Sequence, residues 1–342
     1  VPRKIATMNN TQVLLKRRPN GAPMAADFEA VTTVMGGPQD GEALIKNEYI
    51  SIDAGFRNWM DEDAGDAVLP AMALGQPVMG LTVGVVAESR HATLKKGDLV
   101  MGRLAWEQYS LAGDDFLVVL DHQDTDTPKH FHLGILGDTG MSAYFGLTDI
   151  GQPRAGETVV ISAAGGAVGY VAGQIAKLMG AGRVVGLTSS NVKGDKLKSE
   201  LGYDAFINYQ EPDLDRQFSA ACPDGIDVYF DNVGGPILET VLNHVNVGAR
   251  IPFCGAVADY NNKQPQGPSN LFQIVTNSVR LQGFMTHLQL ERYPEARGQL
   301  TAWLKQGQIK SLTHEYEGVA QCGHAFADLF AGKNFGKTLV KV

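Results

Sequence analysis

The pattern of apolar and polar residues differs between the first third of the chain and the remainder. In the first third, short runs of apolar and β-branched residues alternate with polar turns, and the strand candidates are residues 44–53, 81–88 and 99–101. Runs of this kind between turn residues are typical of β-strands. An acidic turn is expected at 61–66, and the polar segment 121–129 is expected to be a domain hinge or a surface loop. The first third is therefore predicted to be β-rich.

The pattern changes after Gly156. Residues 158–163 form a continuous apolar run, which is typical of a strand buried on both faces. An apolar stripe at helical spacing follows it, made of Val168, Val171, Ala172, Ile175 and Met179. Another helix is predicted at 193–201, and the further strand candidates are residues 183–188, 205–208, 226–231, 250–254 and 279–284.

Strands that alternate with helices indicate βαβ units and a parallel sheet. The predicted fold class is therefore α/β, with a doubly wound parallel sheet and a second, β-rich domain. Residues 309–342 are β-like again at 337–340, so the end of the chain is expected to return to the β-rich domain.

A glycine-rich turn lies between the strand at 158–163 and the helix that follows. A dinucleotide-binding turn has the pattern G-x-G-x-x-G, and here Ala164 replaces the first glycine while Gly166 and Gly169 occupy the other two positions. Gly166 is expected to let the backbone approach a phosphate, and Gly169 to let the helix pack close to the strand. The alternative is a turn that serves packing alone.

The end of the next strand distinguishes between the two nicotinamide cofactors. An NAD site has an acidic residue there to bind the ribose 2′-hydroxyl. This chain instead has Ser189, Ser190 and Lys193, a combination that suits a 2′-phosphate dianion, so NADPH is predicted over NADH. The alternative is that Lys193 is only a solvated residue at the start of a helix.

Three more predicted strands end in glycine, asparagine or other small residues, at 231–235, 254–257 and 283–285. In an open α/β sheet, ligands bind at the carboxyl ends of the strands. These segments are therefore candidates for the same binding site as the glycine turn.

Composition narrows the classes of function. The chain has 342 residues and a net charge of −8, which argues against a general nucleic-acid-binding protein. No apolar run is long enough to cross a bilayer, so no membrane partner is expected. The three cysteines, Cys222, Cys254 and Cys322, are too dispersed for a disulfide framework or a CxxC zinc site, and a cytoplasmic location is expected.

Four motifs resemble a known family. They are the turn 165–169 and the segments 231–235, 254–261 and 332–337, and they are similar to those of the zinc-independent medium-chain dehydrogenase/reductases. The resemblance is narrower still to the group of prostaglandin, alkenal double-bond and curcumin reductases. It implies a GroES-like catalytic domain at 1–127, to which 312–342 return, and a Rossmann domain at 128–311. It also implies homodimers that reduce the carbon–carbon double bond of enones and enals with NADPH.

The resemblance assigns roles to individual residues. Tyr260 matches the tyrosine that donates a proton or stabilises an enolate, and the alternative is a loop tyrosine whose hydroxyl is already bonded. Lys193, Ser189 and Tyr209 would surround the 2′-phosphate. The pyrophosphate would contact Gly166, Ala167, Val168, Gly169 and Tyr170. The nicotinamide and its ribose would be lined by Asn232, Cys254, Gly255, Ala256, Val257, Tyr260, Phe284, Met285, Thr286 and Asn334.

Two departures from related enzymes matter. Zinc-dependent relatives have a Cys near Asp53 and a Gly-His-Glu near Gly75, and neither is present, so no metal is expected. The tyrosine usual in the group is replaced by Phe56, which leaves the identity of the substrate undetermined. Two other functions also remain open: an NADPH:quinone oxidoreductase and a non-catalytic NADPH-binding protein.

Overall fold

The computed structural model describes residues 7–66, 69–113, 116–120 and 126–342. Residues 121–125 of the predicted hinge lie outside this range. The chain divides into two compact units. The first, here called the β-rich unit, contains Val1–Leu133, Thr313–Lys333 and Thr338–Val342, and the second, the parallel-sheet unit, contains Gly134–Leu312 and Asn334–Lys337.

The strands and helices are numbered along the chain. The strands are β1 (Met8–Leu15), β2 (Phe28–Met35), β3 (Ala43–Ser51), β4 (Met79–Ser89), β5 (Leu99–Ala105), β6 (Tyr109–Ala112), β7 (Leu117–Val119), β8 (Thr158–Ile161), β9 (Arg183–Thr188), β10 (Ala205–Asn208), β11 (Ile226–Phe230), β12 (Val245–Phe253), β13 (Arg280–Gly283), β14 (Thr313–Glu317) and β15 (Lys337–Lys341). The helices are α1 (Asp138–Phe145), α2 (Gly169–Leu178), α3 (Asn191–Leu201), α4 (Leu214–Ala221), α5 (Gly235–Leu242), α6 (Phe272–Thr276), α7 (Tyr293–Lys305) and α8 (Cys322–Phe330).

The β-rich unit contains an antiparallel pair, β1–β2, and a seven-stranded sheet in the order β14-β15-β3-β4-β5-β7, with β6 paired to β3. Its core includes three aromatic rings, from Phe28, Trp106 and Phe326, whose centroids lie 5.4–5.8 Å apart. Burying rings of this size removes a large apolar area from water and dominates the energetics of a core.

The end of the chain differs from its predicted β character, because it contains helix α8. Cys322, Ala325 and Phe326 are fully buried, and their spacing of three and four residues is that of a helix with one apolar face. Strand β15 was predicted at 337–340 and pairs with β3 in the β-rich unit. Residues Asn334–Lys337 belong instead to the parallel-sheet unit, where the Gly336 N–H donates to the Gly165 carbonyl over 2.8 Å.

The parallel-sheet unit has six strands in the order β10-β9-β8-β11-β12-β13, and all five neighbouring pairs run parallel. Every residue of β8 is buried, as expected for a central strand of a parallel sheet. Each strand from β8 to β12 is followed by a helix before the next strand. The predicted fold class, a parallel α/β sheet with a β-rich second unit, is confirmed.

Within the residues that the structure describes, no helix combines the length and the apolar character needed to span a bilayer.

Candidate active site

The candidate residues of the parallel-sheet unit follow the carboxyl ends of its six strands. The glycine turn follows β8, Ser189 follows β9 and Tyr209 follows β10. Asn232 follows β11, Cys254 follows β12 and Phe284 follows β13. Because the strands are parallel, these ends share one edge of the sheet, the edge at which open α/β sheets bind ligands.

The glycine turn presents backbone donors at the start of α2. The N–H of Gly166 donates to the Ala163 carbonyl over 2.8 Å, and Ala163 itself has a positive φ of 46°. Within the described residues, the N–H groups of Ala167 and Val168 donate to no other group. Unpaired N–H groups at the positive end of a ten-residue helix fit the pyrophosphate of a dinucleotide.

Gly169 is required by packing. A Cβ at this position would lie 2.2 Å from the Ala163 carbonyl oxygen, so only glycine lets α2 start this close to β8. One turn along, Gly173 leaves room for the ring of Tyr203, whose hydroxyl donates to the Gly169 carbonyl over 2.9 Å. The start of α2 is therefore fixed from two sides.

Tyr170 does not face the turn's open side. Its side chain is fully buried, and its N–H donates to the Gly166 carbonyl over 3.1 Å. Burial raises the pKa of its hydroxyl to about 12. Tyr170 is thus part of the core and its N–H is used inside the protein, while its contact with the pyrophosphate stays a prediction.

The start of α3 contains the residues predicted to bind the 2′-phosphate. The Ser190 hydroxyl oxygen accepts the Lys193 N–H over 3.2 Å and so caps the helix. Ser189 is half-buried beside it, and the Tyr209 N–H donates to the Thr188 carbonyl, which brings the end of β10 to the same place. Burial lowers the pKa of the Lys193 ammonium, and a nearby phosphate would favour its charged form. The group fits a 2′-phosphate.

A buried network orients Asn232. Its side-chain amide donates to the Ser162 carbonyl, and its backbone N–H donates to the Ser162 hydroxyl, each over 2.8 Å. The adjacent Asp231 carboxylate is fully buried and accepts the N–H groups of Val233 and Gly234 and the Tyr229 hydroxyl. The side-chain NH₂ of Asn232 is used inside the protein. Its side-chain oxygen is therefore left to accept a hydroxyl of a ligand.

The segment after β12 packs against the segment after β11. The Val257 N–H donates to the Asn232 carbonyl over 3.2 Å, and the Cys254 N–H donates to the Asp231 carbonyl over 2.8 Å. The Tyr260 hydroxyl turns back towards this loop, 3.4 Å from the Ala256 N–H. The structure therefore brings Asn232, Cys254 and Tyr260 together.

Tyr260 carries a neutral hydroxyl. Burial, reinforced by the neighbouring Cys254, raises the pKa of Tyr260, although the Ala256 N–H acts in the opposite direction. A hydroxyl that accepts one N–H can still donate its own proton. Gly255 packs closely beside it, since a Cβ there would lie 3.0 Å from the Tyr260 oxygen.

Asn334 joins the glycine turn from the end of the chain. It is buried, and its side-chain amide donates to the Gly336 carbonyl over 3.1 Å. The ring of Phe335 lies against Gly165, where a Cβ would approach it to 3.1 Å. The segment Asn334–Lys337 is thus held beside the glycine turn, and the contact of Asn334 with the nicotinamide and its ribose stays a prediction.

The segment after β13 contains contacts that the sequence analysis missed. Asp138, the first residue of α1, accepts hydrogen bonds from the hydroxyls of Thr286 and Tyr293. Ser142, one turn further along α1, lies within hydrogen-bonding reach of the Cys254 thiol. Burial raises the pKa of that thiol to about 12, so the Cys254 side chain is neutral at physiological pH.

The other two residues predicted after β13 differ in their surroundings. The Phe284 ring packs edge-on against Phe230, at a centroid distance of 6.4 Å, and Gly146 leaves space for both rings. Met285 is half-exposed. Phe284 is therefore held in place by packing, whereas the Met285 side chain faces solvent.

In the β-rich unit, the positions that would carry zinc ligands have other roles. Asp53 accepts the Ser51 hydroxyl over 2.5 Å, and Gly75 lies in a turn with a positive φ of 73°. Phe56 packs against Trp59 and belongs to the core. Within the described residues, no cluster of three or more His, Cys, Asp and Glu side chains could hold a metal ion.

Comparisons with known proteins match both units. Residues 11–120 match the family described as the N-terminal domain of oxidoreductase, and residues 167–302 match the family described as zinc-binding dehydrogenase. The chain is 43% identical over 341 residues to a putative NADP-dependent oxidoreductase, YfmJ, of Bacillus subtilis, with 98% of each protein covered.

Two further relatives extend the comparison. The chain is 38% identical over 339 residues to the NADP-dependent 2-alkenal reductase of Nicotiana tabacum, with 98% of each protein covered. The crystal structure of CurA from Vibrio vulnificus in complex with NADPH superposes with a TM-score of 0.89 at 36% identity, covering 97% of this chain and 99% of that one. The resemblance inferred from the four motifs is confirmed: the chain belongs to the medium-chain dehydrogenase/reductases, in the zinc-independent group that contains the alkenal reductases.

Proposed function

We propose that this protein is an NADPH-dependent reductase of the carbon–carbon double bond of α,β-unsaturated aldehydes and ketones. The observation that carries the proposal is the Tyr260 hydroxyl, a neutral donor held at the same sheet edge as the dinucleotide turn. The named relatives support both the reaction and the cofactor. An alkenal reductase is 38% identical to this chain, and a structural neighbour was solved with NADPH.

Different residues would contact different parts of the cofactor. The N–H groups of Ala167 and Val168 would bind the pyrophosphate, and Ser189 and Lys193 the 2′-phosphate. Asn232 and Asn334 would bind the ribose on the nicotinamide side. The nicotinamide would lie against Cys254–Val257 and Phe284–Thr286, at the ends of β12 and β13.

The chemistry follows from conjugation. NADPH, when bound, supplies a hydride, which is accepted by the β-carbon of the substrate. The electron pair of the double bond then moves towards the carbonyl, and negative charge develops on its oxygen as an enolate. Tyr260 donates a hydrogen bond to that oxygen, and a proton added at the α-carbon completes the saturated carbonyl compound. One such donor is worth on the order of 10²–10³ in rate.

A substrate screen tests the proposal. Purified protein is mixed with NADPH and an enal, an enone, a diarylheptanoid or a quinone, and oxidation of NADPH is followed by absorbance. With NADPH deuterated at C4, mass spectrometry and NMR of the product should show deuterium on the β-carbon of the enal or enone. Turnover of quinones alone would identify a quinone reductase instead. Binding of NADPH without turnover of any acceptor would identify a binding protein.

We also infer that two copies of the chain associate through the edge strand β13. Among the described residues, no strand pairs with its outer side, so its backbone groups are available to a second copy. Large apolar side chains are exposed close to it in the sequence and the sheet: Val247, Leu271, Phe272 and Val275. An apolar patch at a sheet edge marks an interaction surface, and an antiparallel pair of identical strands satisfies two-fold symmetry.

A further inference from the structure

Asp138 places a carboxylate beside the segments proposed to line the nicotinamide. Its Oδ1 atom accepts the Thr286 hydroxyl and, over 2.9 Å, the Tyr293 hydroxyl. Asp138 is also within electrostatic reach of the Cys254 thiol, whose pKa it helps to raise. Thr286 follows β13 and Cys254 follows β12, so the carboxylate lies at the ends of both strands.

This negative charge has no cation paired with it in the described part of the chain. Two nearby arginines, one just before α7 and one in it, are engaged elsewhere: Arg292 pairs with Asp149 over 2.7 Å, and Arg297 donates to the Leu136 carbonyl. The Oδ2 atom of Asp138 has no hydrogen-bond partner among these residues, and the side chain is exposed.

Asp231, the other acidic residue of this region, differs from Asp138 in its surroundings. Asp231 is fully buried, and burial raises its pKa, which favours its neutral form. Of these two acids, Asp138 is therefore the one that is open to a ligand.

We propose that the charge of Asp138 favours the oxidised nicotinamide over the reduced one and thereby assists hydride donation, an inference that rests on the proposed NADPH-dependent function. A nicotinamide ring is neutral when reduced and carries a positive charge once it has lost the hydride. A fixed carboxylate attracts the second form and leaves the first almost unaffected. Because the ring is already partly positive in the transition state, the same attraction lowers the barrier.

Binding measurements test the proposal without turnover. The dissociation constants for NADPH and NADP⁺ are measured by titration calorimetry for the wild type and for Asp138→Asn, which keeps an oxygen that accepts from Thr286 and Tyr293. We expect the ratio of the NADP⁺ constant to the NADPH constant to rise about 10-fold in Asp138→Asn. Asp138→Glu, which retains the charge, should restore the wild-type ratio.

Two controls separate charge from structure. Asp224→Asn removes a carboxylate from the turn before β11, at the opposite edge of the sheet, and should leave the ratio unchanged. Tyr293→Phe removes a hydrogen bond to Asp138 and keeps its charge, so it should change the ratio by less than about 3-fold.

The outcomes are distinct. A ratio in Asp138→Asn equal to that of the wild type, or equal weakening of both ligands, would overturn the role of the charge while leaving the proposed function intact. If the wild type bound neither NADPH nor NADP⁺, the proposed function itself would be wrong.

Discussion

At the scale of single residues, Lys193 is predicted to favour NADPH over NADH. Lys193→Ala removes the cation beside the proposed 2′-phosphate, so the dissociation constant for NADPH should rise about 10- to 100-fold. The constant for NADH, which has no 2′-phosphate, should change less than about 3-fold. Lys198→Ala in the last turn of α3 is the matched control and should affect neither. Equal weakening of both cofactors would contradict a phosphate contact at Lys193.

Tyr260 gives a prediction about pH. Because burial raises its pKa above the ordinary value of about 10, its hydroxyl keeps its proton through neutral and mildly alkaline pH. Turnover that depends on this donor should therefore stay constant from pH 7 to about 10 and decline above it. Tyr260→Phe should lower kcat on the order of 10²-fold and abolish that alkaline decline.

Two observations would argue against this role of Tyr260. One is an unchanged kcat in Tyr260→Phe, and the other is an alkaline decline that persists in the variant. The dissociation constant for NADPH is the internal control, because the hydroxyl contacts the backbone of its own loop and no part of the phosphate sites.

At the scale of elements, the start of α2 depends on Gly169. In Gly169→Ala, the new methyl group would meet the Ala163 carbonyl oxygen at 2.2 Å, so α2 must move away from β8. We expect the free energy of unfolding, measured by urea denaturation, to fall by about 1–3 kcal/mol. The affinity for NADPH should fall as well.

Gly298 is the matched control for that substitution. It lies inside α7, with open space around its Cβ position. Gly298→Ala should stabilise the protein by about 0.5–1 kcal/mol, because alanine is the better helix former. Similar effects of the two substitutions would show that the contact at Gly169 does not control the position of α2.

Strand β8 and helix α2 were predictable because β8 is a short apolar run buried at every residue and α2 carries an apolar stripe. Helix α8 was missed, since the short strand that follows it made the whole end of the chain look β-like. Asp138 was missed for a different reason. Its partner Thr286 is 148 residues away in the sequence, and no local pattern reports a hydrogen bond between such distant positions.

At the scale of the whole molecule, the first prediction concerns metal. Zinc-dependent relatives have a Cys near Asp53 and a Gly-His-Glu near Gly75, and this chain has neither of these zinc-binding elements. Elemental analysis of purified protein should find far less than one zinc per chain, and dialysis against a chelator should leave kcat unchanged. Stoichiometric zinc, or activity lost to the chelator and regained with zinc, would show that other residues bind a metal.

The second prediction concerns assembly. If β13 pairs with its counterpart in a second copy, light scattering should give twice the chain mass of 36.7 kDa. Phe272 and Val275 are 71% and 66% exposed beside that edge, so replacing both with Lys would place four like charges in a two-fold interface. The double variant should be monomeric.

Val34→Lys is the matched control for the interface. Val34 is 69% exposed, and it lies in the β-rich unit on β2. This variant should stay dimeric, because a single exposed valine outside the patch contributes little to association. A wild type that is monomeric at micromolar concentration would refute the interface. A double variant that remains dimeric would place the contact elsewhere, since two lysines per chain cannot be buried at a symmetric edge without a partner charge.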